Sequence, residues 1–186
     1  MEIKVIDDFL SLDKVEELEQ MIIHNTKFPW FYQEQVTFKN EDLNETQPWN
    51  WYQTHKFYED DKVNSPYYNK IRDIFFPHFN DLQSLIRIKA NFYPHTETLR
   101  EHLPHSDYNF SHRAAIFSLN TCDGFTRMKD GTKIDSVKNR IIFFDGHTSH
   151  NSSTTTTSPV RWNLNFNYLS ITDSLNLKQR VGFSDY

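Results

Sequence analysis

The stretch from Asn139 to Leu169 reads NRIIFFDGHTSHNSSTTTTSPVRWNLNFNYL, and its texture decides the fold. "NRIIFFD" is a short apolar run ending at Asp145-Gly146, a pair that favours a tight turn because glycine accepts positive φ. His147 and His150 follow, and then a polar run, "SSTTTTSP" at 152–159, reads as a loop ending at Pro159. The last segment alternates. In an extended strand Arg161, Asn163, Asn165 and Asn167 share one face, and Trp162, Leu164, Phe166 and Tyr168 share the other. The apolar face belongs against a core, and the polar face is expected to line a cavity.

Outward from this stretch the same texture extends back to about residue 85. "LIRIKANFY", "RAAIFSLN" and "KIDSV" read as further short strands, and Asp123-Gly124 and Asp130-Gly131 as further reversals. Many short strands separated by turns imply a mainly β closed barrel or two-sheet jelly roll. The first half differs. Residues 2–10 alternate weakly and read as a strand; Ser11 offers an N-cap, and Val15, Leu18, Met21 and Ile22 recur at helical spacing. A second helix is expected to start at Ser65-Pro66, to carry Tyr68, Ile71 and Phe75 on one face and to stop by Pro77. Polar loops and two aromatic clusters, Phe28 to Tyr32 and Trp49 to Tyr52, lie between these helices and suit core or lid packing. The expected organisation is one domain over 1–186, with a helical cover over about 1–84 and a barrel core over about 85–170; beyond 171 no pattern is clear.

Composition narrows the function classes. Cys122 is the only cysteine, which excludes an internal disulfide and any CxxC metal or redox motif. The net charge is -5 and the cations are scattered, so the basic footprint of a nucleic-acid binder is absent. No run approaches a membrane span and the N-terminus has no signal-like character, so a cytoplasmic protein is expected.

The chemistry centres on "PHSDY", Pro104 to Tyr108. Residues two apart in a strand point the same way, so His105 and Asp107 can aim an imidazole and a carboxylate at one point. Such a pair is common by chance and binds nothing alone. A second histidine would complete a facial triad that leaves coordination positions open, the arrangement of Fe(II) oxygenases. With His105-Ser106-Asp107, a distal His150 and then Arg161, in that order and in strand contexts, the chain resembles the Fe(II)/2-oxoglutarate-dependent oxygenases. It is most similar to their prolyl-4-hydroxylase-like branch and to the small members in cyanophage genomes. The opening "IKVIDDFLSLDKVEELEQMI" looks like the strand and helix with which many members begin.

The resemblance implies a double-stranded β-helix (jelly roll, cupin-like) and a hydroxylating dioxygenase that uses Fe(II), 2-oxoglutarate and O2 and releases succinate and CO2. It assigns His105, Asp107 and His150 to the metal and Arg161 to the far carboxylate of 2-oxoglutarate, for which a planar guanidinium fork is suited. Asn163, two beyond the arginine, is a further cosubstrate contact, as is Tyr93, which reads equally as a core tyrosine. His147 is the alternative distal ligand, or a loop residue. His95, His102 and His112 read as exposed or packed, Cys122 as a small buried hydrophobe. Tyr108 and Arg113 adjoin the metal pair and are candidate substrate contacts. Three positions bear on the branch. Ser118 stands where prolyl hydroxylases usually carry a tyrosine, which puts cosubstrate contacts there in doubt; Asn167 stands where nucleobase-repairing members carry a second arginine; and Asp107 is the carboxylate that halogenating members lack.

The substrate is expected to be a peptidyl proline or a small molecule, with a nucleobase third, selected by the aromatic N-terminal half and the loops at about 94–104 and 123–131. If the chain is phage-encoded, its compartment is the host cytoplasm. The alternative is a non-catalytic metal-binding barrel that serves as a ligand- or partner-binding module, and a lost ligand or a lost arginine would mark it.

Overall fold

The computed structural model describes residues 2–37 and 48–171. In chain order it contains β1 (Lys4–Ile6), α1 (Leu12–Ile22), β2 (Phe31–Gln33), β3 (Tyr52–Glu59), β4 (Lys62–Val63), α2 (Tyr68–Phe75) and a 3-10 turn (Phe76–His78). The rest is strand: β5 (Leu82–Pro94), β6 (Arg113–Ser118), β7 (Phe125–Met128), β8 (Lys133–Asp135), β9 (Ile141–Asp145), β10 (His150–Ser152) and β11 (Val160–Ser170). The large antiparallel sheet runs β1-β9-β6-β11-β5-β3-β2, with β4 beside β3, and a smaller sheet runs β10-β7-β8. This is the jelly roll expected from the strand pattern.

The alternation of β11 explains the layering. Leu164, Phe166 and Tyr168 face the helices and join Val15, Leu18 and Ile22 of α1, Ile71, Ile74 and Phe75 of α2, and Phe57, Ile88 and Phe117 in one core. The Phe75 ring lies 4.6 Å from Phe166 and 5.1 Å from Phe117, so aromatic contacts seat the helices on the sheet. Between the two sheets a second core of Ala114, Ile116, Met128, Ile134, Ile142 and Phe144 closes one end of the sandwich. The other end is polar and is described below.

The structure differs from the sequence reading in three places. The expected helical cover also supplies β2, β3 and β4, which widen the large sheet. In β3 the polar Thr54 and His55 are buried, bonded to the Ala90 carbonyl, to Ser65 Oγ and to the Pro29 carbonyl, so the strand carries no apolar alternation to read. α2 begins at Tyr68 rather than Ser65, whose Oγ accepts the Tyr67 amide ahead of the helix. The run 152–159 is no exposed loop through its first half: Ser152 to Thr155 are buried.

Only one of the three described Asp-Gly pairs acts through backbone conformation. Gly131 has φ +89° and closes the β7-β8 hairpin. Gly124 and Gly146 lie where the chain passes between sheets, and there it is space that matters: a Cβ on Gly124 would stand 2.6 Å from Arg161 Cδ and 2.8 Å from the Thr154 carbonyl, and one on Gly146 would enter the His112 ring. Among the described residues no helix is long and apolar enough to cross a membrane.

Candidate metal centre and adjoining cavity

His105 and His150 are paired directly across two antiparallel segments. Each backbone amide donates to the other's carbonyl, at 2.9 Å and 2.8 Å, and the two rings lie 4.7 Å apart. The Asp107 amide continues the pairing by donating to the Gly146 carbonyl at 3.0 Å. The donor atoms of His105, Asp107 and His150 all fall within 4.8 Å of one another.

Electrostatics prepare these groups for a cation. Burial and then the neighbouring His150 lower the His105 imidazole to about 4, so at neutral pH its lone pair is free of a proton. His150 directs Nδ1 at the Thr148 carbonyl, 2.9 Å away, which fixes the ring and leaves Nε2 for the metal. Burial alone would raise the Asp107 carboxyl, but Arg87, His150, Lys89 and a hydrogen bond from Asn167 together hold it well below the usual carboxylate range. Arg87 Nη2 donates to Asp107 Oδ1 at 2.8 Å, and Asn167 Nδ2 donates to Oδ2 at 2.9 Å. His112 accepts from Asn167 at Nε2 and donates from Nδ1 to the Phe110 carbonyl, which extends the support.

The walls of the adjoining cavity come from two neighbouring strands. β11 and β5 pair Arg161 with Tyr93, Asn163 with Asn91, Asn165 with Lys89 and Asn167 with Arg87. The result is four polar rungs on the face turned away from the helices. Lys89, Asn91, Tyr93, Asn163 and Asn165 line the cavity with His105, Asp107, His150, Thr126 and Ser152. Its free space is about 20 Å³, on the order of one water molecule, so a larger guest enters only as side chains yield.

Arg161 is 1% exposed, and no carboxylate pairs with it among the described residues. Its guanidinium donates to the Ser153 carbonyl at 3.2 Å and to Thr126 Oγ1 at 3.1 Å and lies 5.4 Å from the centre of the Tyr93 ring. A desolvated guanidinium without an anion is costly unless one arrives. Buried acceptors and donors are left open nearby: Arg161 Nε, His102 Nε2, Asn91 Oδ1 and Asn165 Oδ1 have no partner. Such atoms are rare in folded proteins and mark a place built for a polar guest. The residues present therefore fit both a divalent metal and a dicarboxylate beside it.

The other expected residues fall as follows. Tyr93 is buried against Arg161, and Asn163 accepts from Asn91 at 2.8 Å on the cavity wall. His147 is exposed, outside the donor cluster, with Nδ1 near the Tyr108 carbonyl. His95 is exposed; His102 is packed beside Tyr93 and bonded to Ser152 Oγ. Arg113 turns to the helix side of the sheet and pairs with Asp81 at 3.1 Å, in a separate hollow of about 650 Å³ beside β1, so it is no wall of this cavity. Tyr108 stacks on the Arg87 guanidinium at 5.1 Å. Cys122 is half-buried rather than buried.

Arg87, Lys89 and Thr126 escaped the sequence reading, His112 entered it only as an exposed or packed histidine, and Asn167 only as a departure. The signal was there: "RIKANFY" alternates polar and apolar residues just as "RWNLNFNYL" does.

No family model matches the chain, and no curated protein does. Solved structures do. A Burkholderia pseudomallei 2OG-Fe(II) oxygenase family oxidoreductase superposes with TM-score 0.64 at 11% identity, covering 90% of this chain and 84% of its own. A Pseudomonas putida prolyl-4-hydroxylase gives 0.59 at 15% identity, with 90% and 92% covered. A Trichoplax adhaerens prolyl hydroxylase, in complex with a hypoxia inducible factor peptide fragment, gives 0.58 at 12% identity, with 98% and 87% covered. At these identities the likeness establishes the shared jelly-roll fold.

Proposed function

We propose that this chain is an Fe(II)- and 2-oxoglutarate-dependent dioxygenase that oxidises a C–H bond of a peptide or small-molecule substrate. One observation carries the reading: a His/Asp/His donor cluster opens on a cavity whose wall residues Thr126 and Tyr93 touch a buried arginine that has no carboxylate partner among the described residues. A carboxylate-bearing chelator that reaches from one to the other answers both. Fe(II), when bound with 2-oxoglutarate and O2, supplies the oxidising power, with succinate and CO2 as coproducts.

The chain's own residues do the holding and excluding. His105, Asp107 and His150 are the metal ligands in this reading, two neutral nitrogens and a carboxylate, a set suited to Fe(II). Arg161 meets the far carboxylate of 2-oxoglutarate with two N–H groups, helped by Tyr93 and Asn163 on neighbouring rungs. Thr126 and the Ser153 carbonyl keep the guanidinium in place. Arg87 and Asn167 hold both oxygens of Asp107, and the narrow cavity keeps out bulk water until substrate enters.

The test is an anaerobic titration of 2-oxoglutarate into Fe(II)-loaded protein, followed by the visible charge-transfer band of the chelated keto acid. The band is expected in the parent and in His147→Ala and is lost in His150→Ala. In Arg161→Met about ten- to hundredfold more cosubstrate is required, the loss of charge-assisted hydrogen bonds. Iron that binds without any band in the parent would refute the reading. Without cosubstrate, Arg161→Met melts within about 2–4 °C of the parent, because the cation it removes has no anion to lose.

A further inference from the structure

Three of the four rungs between β5 and β11 have their charges accounted for. Arg161 and Tyr93 face the proposed cosubstrate, Asn163 and Asn91 bond each other, and Asn167 and Arg87 hold Asp107. The rung between them, Lys89 with Asn165, does not. Among the described residues no carboxylate pairs with Lys89, whose ammonium lies 5.7 Å from the centre of the Tyr52 ring, and Asn165 Oδ1 is buried without a donor. Both residues line the cavity beside His105 and Asp107.

The balance of charge points the same way. The facing segments 87–93 and 161–167 carry Arg87, Lys89 and Arg161 and no acid. Asp107 on the opposite wall is bonded to Arg87 and acts on Lys89 only through space, and Glu59, the next acid to influence Lys89, is paired with Lys56. The charges of Fe(II) and dianionic 2-oxoglutarate cancel each other, so loading the site as proposed above leaves Lys89 unanswered. The backbone of a mid-chain peptide residue offers this ammonium a carbonyl acceptor but no anion. A small carboxylate with an N–H or O–H beside it offers Lys89 an anion and Asn165 Oδ1 a donor at once.

We propose that Lys89 and Asn165 form the substrate-recognition rung of the cavity, and that the substrate is a free small carboxylate bearing an adjacent amine or hydroxyl. This rests on the oxygenase reading. Lys89 is the side chain suited to the role, because its flexible stem can swing from the narrow cavity when a guest enters.

The probes are the free L-amino acids, lactate and malate, each compared with its carboxamide, added anaerobically to protein loaded with Fe(II) and 2-oxoglutarate. Binding is read from the shift of the charge-transfer band and from the melting temperature, in the parent and in Lys89→Met. The expected result is that at least one free acid binds and its carboxamide binds at least about tenfold more weakly. In Lys89→Met that acid loses about ten- to hundredfold, whereas 2-oxoglutarate itself binds within about threefold of the parent. The proposal is overturned if acid and amide bind alike, if no probe binds the parent, or if Lys89→Met weakens 2-oxoglutarate as Arg161→Met does. Absence of the band before any probe is added strikes the oxygenase reading itself, which separates the two failures.

Discussion

At the scale of single residues the site is defined by which groups are satisfied and which are not. Asp107 has both oxygens engaged, whereas Arg161, His102, Asn91 and Asn165 each keep one buried polar atom open. The first arrangement holds a carboxylate in place and the second leaves hydrogen-bonding atoms open. In Arg87→Met the Asp107 carboxyl loses its closest cation, and its pKa rises. The sign for metal binding follows: protons then compete with the metal at higher pH than in the parent. Metal affinity is expected to fall about ten- to hundredfold, as it does when outer-shell partners are removed, and more steeply at pH 5 than at pH 7. Co(II) titrations at both pH values measure it, and an equal affinity in parent and variant would show that Arg87 does not position the ligand. From sequence, His105, Asp107, His150 and Arg161 were singled out because their order matches the motif of the family the chain resembles, and the structure brings the first three together. Arg87 and Lys89 were hidden because cations at alternate strand positions usually mean a solvated face, and only β11 laid beside β5 shows that this face is inside.

At the scale of elements, the crossing from β10 to β11 shows how local packing serves the site. The Asp123 carboxylate accepts from Thr155 Oγ1, from the amide and hydroxyl of Thr156, and from the amide and hydroxyl of Thr157. This staple ties the buried threonine run to the start of β7, and Gly124 beside it leaves room for the Arg161 stem. Gly124→Ala therefore forces Arg161 or the Thr154 backbone to move, which costs about 1–3 kcal/mol in denaturant melts and weakens 2-oxoglutarate binding in the same variant. Burial raises the Asp123 carboxyl, but its many donors outweigh that and depress it. A depressed folded pKa adds stability that is full above the unfolded value near 4 and fades as pH falls below it. Asp123→Asn is expected to melt lower at pH 7 and to lose part of the acid-side decline between about pH 4 and 2. The sequence showed this run only as a biased polar segment. Polar composition reads as surface, and the partners that let these hydroxyls be buried, His102, Phe125, Thr96, Arg100 and Asp123, lie far away in the chain. Beside the short β1 and β8, the strands that the sequence revealed, β5, β6, β9 and β11, carry apolar residues on one face, whereas β3 buries polar groups and stayed unread.

At the scale of the whole molecule, the helices and the site occupy opposite faces of one sheet. Leu164 and Phe166 enter the helix-side core while Asn163 and Asn165 look into the cavity, so neighbouring residues of one strand serve stability and chemistry separately. Phe166→Ala removes a fully buried ring in contact with Phe75 and Phe79 and is expected to cost about 3–5 kcal/mol. The molecules that remain folded should bind 2-oxoglutarate as the parent does, because no group in the cavity has changed. The mutual pairing of His105 and His150 adds a further consequence. Since each histidine holds the other's backbone, a slip of one residue in either segment turns its imidazole out of the cavity and breaks the pair. The centre is thus all-or-none: damage elsewhere in the sheet should divide a preparation into intact and inert molecules, lowering the amplitude of an active-site titration while leaving its midpoint where it was.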